Sequence, residues 1–130
     1  MKFISAAVVT GSIATLLDAC KKEDNSTTAP KADFTLDLTS SSNAALLHSG
    51  GSVISNQVVV INNNGTYVAL SDICTHQSCA LSYNSAASKL TCHCHGSAFS
   101  LSGSVLNGPA SSSLKQYSVT QSGNTLHITG

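Results

Sequence analysis

Residues 74–79, CTHQSC, are followed twelve residues later by residues 92–97, CHCHGS. These two hexapeptides contain four of the five cysteines in the chain and three of its five histidines. Cysteine and histidine at this density indicate a metal site, a disulfide framework or both. The remainder of the chain must then form a domain that presents two such loops close together.

The composition favours a small all-β domain. The chain has 130 residues, six basic and six acidic side chains, and no arginine. This length allows one ordinary domain with its own core. The absence of clustered basic residues argues against nucleic acid as a partner. Charged residues make up 9% of the chain, whereas Ser, Asn and Thr are frequent, which is typical of β-strands joined by polar turns.

Several short segments have the pattern of β-strands. They either alternate apolar and polar residues or consist of β-branched residues. The Asn64-Gly65 pair between QVVVI and TYVAL predicts a hairpin. Residues 43–51 are compatible with a helical turn or a loop. The predicted strands cover residues 34–38, 57–61, 66–70, a segment around Leu90, 114–119 and 125–129. The two hexapeptides would therefore be inserted after the strand that ends near Leu70.

The first residues have the pattern of a targeting segment. Lys2 precedes an uncharged apolar run, residues 3–17, which is shorter than the roughly 20 residues that span a membrane. The sequence LDAC, ending at Cys20, resembles the bacterial lipoprotein signal, although Asp18 departs from the small or apolar residue usual there. The resemblance implies a signal peptide over residues 1–19 and an acylated Cys20. An incidental cysteine near a cleavage site, or a short anchor helix, is the alternative.

On the lipoprotein interpretation the protein is exported. It would be anchored by acylated Cys20 to a bacterial membrane, facing the periplasm or the cell exterior. Residues 20–32 are polar, contain Pro30 and show no apolar periodicity, so they predict a flexible tether. Residues 33–130 are then the folded domain.

The spacing of cysteine and histidine leaves more than one metal open. His76 lies two residues after Cys74, and His95 lies three residues after Cys92. At that spacing one tight loop directs a thiolate and an imidazole at the same ion, as in many zinc sites. Disulfides alone are expected in an exported domain, but they do not require histidines at fixed offsets. A zinc site, an iron–sulfur site and disulfides with unrelated histidines are the three explanations.

The two hexapeptides carry a specific resemblance. CTHQSC and CHCHGSAF resemble the Rieske iron–sulfur family, whose two boxes read C-T-H-x-G-C and C-P-C-H-G-S-x-[FY]. The segment LSGSVLNGPA, residues 101–110, is similar to the family's loop that covers the cluster, through Gly108, Pro109 and Ala110. The resemblance implies a Rieske-like antiparallel β sandwich or barrel with an inserted cluster-binding part at about residues 71–110. It also implies a [2Fe–2S] cluster as the cofactor.

The resemblance also implies a ligand set. Cys74 and Cys92 would bind one iron, and His76 and His95 would bind the other. Ser97 matches the family serine whose hydroxyl donates a hydrogen bond to a bridging sulfide. Because neutral imidazoles replace two thiolates, such a cluster carries less negative charge, and its reduction potential rises to about −150 to +300 mV.

Other positions place the chain within the family and mark its departures. Cys79 and Cys94 match the cysteines that form a disulfide in the respiratory branch, which agrees with an oxidising compartment. Ser78 stands in the place of a glycine and His93 in the place of a proline; we expect His93 to point outward rather than bind iron. Phe99 stands where the members of highest potential have tyrosine. We therefore expect a potential below those members and above the dioxygenase ferredoxins.

The function implied by the resemblance is one-electron transfer. The chain would be an electron carrier, or the Rieske subunit of a quinol-oxidising cytochrome bc-type or arsenite-oxidase-like complex, rather than a stand-alone enzyme. Its partners would be redox proteins such as a cytochrome, together with the lipid membrane. A zinc-binding structural module is the alternative from another class.

Overall fold

A computed structural model describes residues 29–75 and 79–130 of the chain. The predicted all-β architecture is confirmed, because the described residues form ten strands and one short 3-10 helix, Ser41–Leu47. The strands are β1 (Asp33–Asp37), β2 (Ser52–Ser55), β3 (Val58–Asn63), β4 (Thr66–Ser71), β5 (Leu81–Asn84), β6 (Lys89–Cys92), β7 (Ala98–Ser100), β8 (Val105–Asn107), β9 (Gln116–Ser122) and β10 (Thr125–Thr129).

Six of the strands form one antiparallel sheet in the order β1-β10-β9-β4-β3-β2. The predicted hairpin joins β3 to β4, with Asn64 at φ 55° and Gly65 at φ 93°. Two successive left-handed residues match the twist of the strands they connect, which is why Asn-Gly is favoured there. The sheet brings the residue before β1 and the residue after β10 together, since Ala32 and Gly130 exchange backbone hydrogen bonds of 2.8 and 3.0 Å.

The other four strands form a second sheet in the order β5-β6-β7-β8. Each strand pairs antiparallel with the next in sequence. This meander follows the first hexapeptide and includes the start of the second, because β6 ends at Cys92. It corresponds to the inserted part predicted at about residues 71–110.

Strand β3 contributes side chains to both hydrophobic cores of the domain. Its first five residues, Val58–Asn62, are all buried, which explains why this segment is a continuous β-branched run rather than an alternating one. Val58 and Val60 pack into one core with the 3-10 helix residue Leu46. Val59 and Ile61 face the opposite core. That second core also contains Leu70, Cys74, Leu81, Leu90, Cys92, Phe99, Ala110 and Leu114.

The N-terminal predictions fall largely outside the described residues. These include the signal peptide over residues 1–19, the acylated Cys20 and most of the tether. Among residues 29–75 and 79–130, the structure has no helix with the length and apolar character that membrane crossing requires.

Candidate metal centre

The first hexapeptide begins a loop that closes on itself. Ile73 and Ala80 form an isolated antiparallel bridge, and the backbone N–H of Cys74 donates to the carbonyl of Cys79 at 2.9 Å. Ser71 adds a local contact, because its Oγ accepts from the N–H of Ile73 at 3.1 Å. Cys74 is fully buried. The thiol at the start of the loop is therefore held by the core.

The second hexapeptide forms a similar loop at the end of β6. The N–H of Cys92 donates to the carbonyl of Ser97 at 2.8 Å, and the N–H of Gly96 donates to the carbonyl of Cys92 at 3.0 Å. Gly96 has φ 81°, a left-handed angle that glycine adopts without strain. Cys92 is buried, with 3% of its surface exposed. Each loop thus starts with a buried cysteine.

A disulfide between Cys79 and Cys94 joins the two loops. This is the pairing that the resemblance implies. The cross-link leaves Cys74 and Cys92 as free thiols, both buried. The structure therefore separates the four cysteines into one covalent pair and two thiols that are available as ligands.

Among the described residues, the cluster of candidate ligand atoms contains one member of the predicted ligand set, Cys92. The Sγ atom of Cys92 lies within 4.8 Å of the sulfur atoms of Cys79 and Cys94, but those two sulfurs are bonded to each other and are not thiolates. Cys74 and His95 are outside this group of sulfur atoms, and His95 is exposed. His76 lies outside the described residues. The complete ligand set, Cys74, His76, Cys92 and His95, stays a prediction.

A third loop, which begins at Gly108 and contains the Gly-Pro-Ala segment, packs beside the second. Its peptide Gly108-Pro109 is cis. The N–H of Ala110 donates to Oγ of Ser97 at 3.0 Å, in buried surroundings. On the exposed side, Nδ2 of Asn107 donates to the carbonyls of Gly96 and Gly108 at 3.0 and 3.1 Å. The sequence pointed to Ser97 and to the Gly-Pro-Ala segment, but it gave no signal for Asn107.

His93, beside Cys92, contacts a strand of the second sheet. Its Nε2 lies 2.6 Å from Oγ of Ser82 in β5. The ring is exposed, in agreement with the expectation that His93 points outward.

Asp72 precedes the first loop and is buried. Burial raises the pKa of its carboxyl group above the usual value, because desolvation disfavours the charged form. Its Oδ1 atom has no hydrogen-bond partner among the described residues. The Asp72 backbone is well anchored, since its N–H donates to Gln57 and its carbonyl accepts from Leu81. Asp72 thus fixes the base of the loop through its main chain.

These donors fit the cluster that the resemblance implies. Two buried free thiols offer the thiolate ligands for an inner iron, and exposed His95 offers an imidazole for an outer one. Ser97 is fully buried beside the second loop. Its oxygen accepts from the N–H of Ala110 at 3.0 Å, which ties the second loop to the Gly-Pro-Ala segment.

Comparisons with solved structures agree with this architecture. The chain is similar to the plasma membrane Rieske protein of the cyanobacterium Synechocystis PCC 6803, with 32% identity and a TM-score of 0.54; the match covers 62% of this chain and 85% of that one. The ferredoxin of carbazole 1,9a-dioxygenase from Nocardioides aromaticivorans IC177 shares the fold with a TM-score of 0.55 at 17% identity, covering 63% of this chain and 86% of the ferredoxin.

Comparisons with curated sequences identify relatives over about half of the chain. The cytochrome b6-f complex iron-sulfur subunit of Chlorobaculum tepidum is 40% identical over 63 residues, which are 48% of this chain and 35% of the subunit. A chloroplastic subunit of the same name from Nicotiana tabacum is 40% identical over 58 residues, 43% of this chain and 25% of the subunit. The chain thus spans well under half the length of these relatives.

The family is established by a match that covers more than half of the chain. Residues 40–118 match the model of the Rieske [2Fe-2S] domain. This range contains both hexapeptides, the disulfide between Cys79 and Cys94, and the third loop. The chain therefore belongs to the Rieske [2Fe-2S] domain family.

Proposed function

We propose that the chain transfers single electrons through a Rieske [2Fe–2S] cluster. Cys74 and Cys92 hold the inner iron, and His76 and His95 hold the outer iron. The observation that carries the proposal is the pair of buried free thiols at the start of two disulfide-linked loops, inside the segment that matches the family. When bound, the cluster supplies a one-electron couple with a potential of about −150 to +300 mV.

The residues around the site divide into an inner and an outer side. The second core surrounds Cys74 and Cys92 with apolar side chains, which keeps water away from the thiolates. His95 lies on the exposed side, where a redox partner gains access. A one-electron carrier needs such an accessible edge rather than a substrate pocket. The hydroxyl of Ser97 would donate a hydrogen bond to a sulfide of the bound cluster, which would stabilise the more negative, reduced form and raise the potential.

A second candidate function is supported by the curated relatives. The subunits from Chlorobaculum and Nicotiana belong by name to cytochrome b6-f complexes, so the chain is also a candidate subunit of a quinol-oxidising complex. In that role the exposed His95 would be the residue that faces the quinol, and the cluster would supply the one-electron couple. A stable assembly with a cytochrome distinguishes this role from that of a free carrier.

The place of action that we propose is a bacterial membrane surface outside the cytoplasm. Acylation of Cys20 tethers the domain through residues 20–32, and the disulfide agrees with an oxidising compartment. Mass spectrometry of the membrane-bound protein tests this directly. We expect a lipid-modified N-terminal Cys20, and release of the Cys20→Ala variant into the soluble fraction.

Absorption and EPR spectra of the full-length protein test the cluster. A rhombic EPR signal that appears on one-electron reduction and is absent from the oxidised protein is the expected result. Two exposed histidines of one loop provide a matched pair of variants. His95→Ala is expected to abolish the signal, whereas His93→Ala is expected to retain it. A colourless, EPR-silent protein that binds zinc would overturn the proposal.

Affinity purification from membranes separates the two roles. A free carrier is expected to elute without stoichiometric partners. A complex subunit is expected to elute with a protein that shows haem absorption, and this association should survive the His93→Ala control.

A further inference from the structure

Asn107 makes an unusual pair of contacts at the exposed end of β8. Its single Nδ2 atom donates to the carbonyl of Gly96 at 3.0 Å and to the carbonyl of Gly108 at 3.1 Å. A side-chain amide nitrogen carries two N–H groups, so one atom satisfies both acceptors. The two carbonyl oxygens also determine how the amide of Asn107 is oriented. Its nitrogen must face them, because the amide oxygen cannot donate a hydrogen bond to a carbonyl.

The two acceptors belong to different loops. Gly96 directly follows His95 in the second loop, and Gly108 begins the third loop. The same two loops are also joined on their buried side, where the N–H of Ala110 donates to Ser97. The loops are thus held at two points, one buried and one exposed, and Asn107 provides the exposed one.

Polar contacts hold the peptide after His95. A Cβ atom placed on Gly96 would have no heavy atom within 4 Å among the described residues. Gly96 also has a left-handed φ of 81°, which leaves its backbone more freedom than other residues have. Two hydrogen bonds restrain this residue, namely the N–H bond to Cys92 and the carbonyl bond from Asn107.

We propose that Asn107 is a positioning residue for His95. By holding the carbonyl of Gly96 against the third loop, it sets the orientation of the neighbouring histidine and limits opening of the site. This inference rests on the proposed role of His95 as a ligand. We therefore expect the amide N–H donors of Asn107, and not merely the size of its side chain, to determine how firmly the second loop holds His95 in position.

Asn107→Asp tests the donors at nearly constant size. The carboxylate has no N–H group and places negative charge against two carbonyl oxygens; Asn107→Ala removes the side chain without adding charge. Asn56→Asp is the control, because among the described residues the amide of Asn56 donates to Oγ of Ser55, at 3.2 Å, in the turn between β2 and β3, and contacts neither the second nor the third loop. Asp tolerates the left-handed angle of that turn, as Asn does.

The experiment uses the full-length protein with its cluster. Four readouts are compared: EPR g values, the decay of visible absorption with a chelator, hydrogen exchange of peptides covering Gly96 and Ala110, and the melting temperature. In both Asn107 variants we expect shifted g values, faster exchange at Gly96 and cluster loss about fivefold faster. The control should match the wild type.

The outcomes are distinguishable. Wild-type g values and wild-type decay rates in both Asn107 variants would overturn the inference while leaving the proposed function intact. Changes in melting temperature without any change in g values would make Asn107 merely structural, which also contradicts the inference. A wild-type protein without the Rieske signal would contradict the proposed function, and the inference would fall with it.

Discussion

Replacing Ser97 by alanine removes one oxygen atom from a fully buried site. In the wild type that oxygen accepts the N–H of Ala110 at 3.0 Å. Ala110 is itself buried, with 5% of its surface exposed, so water does not readily replace the lost acceptor. A buried N–H without a partner costs about 1–3 kcal/mol, and we expect Ser97→Ala to lower the free energy of unfolding by about that amount.

The same substitution is expected to lower the reduction potential. In the proposed site the Ser97 hydroxyl donates to a sulfide, and this bond is stronger in the reduced, more negative state. A hydrogen bond to a charged group contributes about 1.5–3 kcal/mol. For a one-electron couple, 1.4 kcal/mol corresponds to about 59 mV. Since the oxidised state also retains part of the bond, we expect a decrease of tens of millivolts and at most about 130 mV.

Protein-film voltammetry measures the potential, and denaturant unfolding measures the stability. Ser111→Ala is the control, because Ser111 is exposed and lies one residue beyond Ala110. We expect the control to change neither quantity. Lost stability with an unchanged or higher midpoint would refute the assignment of the hydroxyl hydrogen to the cluster. Unchanged stability would refute the hydrogen bond between Ser97 and Ala110.

Three further outcomes are expected. The double variant Cys79→Ser/Cys94→Ser opens a cross-link between residues 15 apart in sequence, so the free energy of unfolding should fall by about 3 kcal/mol in denaturant titrations; an equally stable variant would contradict this. Phe99→Tyr should raise the midpoint in protein-film voltammetry by adding a hydroxyl donor, and no rise counts against that account. The hydroxyl and N–H of Thr39 donate to Asp37 and lower the pKa of that carboxyl below 3.8. The stability that ionised Asp37 adds to the folded state is therefore complete above the pKa of the unfolded state, about 3.8. It disappears as the pH falls through the lower pKa of the folded state. Asp37→Asn should be less stable than the wild type at pH 6, and unfolding titrations should show this difference vanishing in acid.

The longer strands could be predicted because their patterns are local. The β-branched run in β3 predicted a strand, and the Asn64-Gly65 turn predicted its pairing with β4. Four short strands, β2, β5, β7 and β8, were missed. They contain three or four residues each, too few for a period of two to stand out. These strands form because the neighbouring chain supplies their hydrogen bonds, which no local pattern records.

The site also has features that the sequence predicted and features that it could not predict. The spacing of the cysteines, through the family resemblance, was sufficient for the disulfide between Cys79 and Cys94, and the structure contains it. The contacts of Asn107 and Ser71 could not be predicted, because both residues are common in turns and carry no motif. Their roles depend on which carbonyl or N–H group the fold brings within 3.5 Å.

His93 illustrates how the chain departs from its family and still maintains a loop. A proline at this position would fix the backbone angle φ and stiffen the segment between Cys92 and Cys94. Histidine does not, but its Nε2 reaches Oγ of Ser82 at 2.6 Å. Ser82 lies in β5, which pairs with the strand that ends at Cys92. A contact between side chains thus replaces part of the lost main-chain restraint and links the second loop to the neighbouring strand.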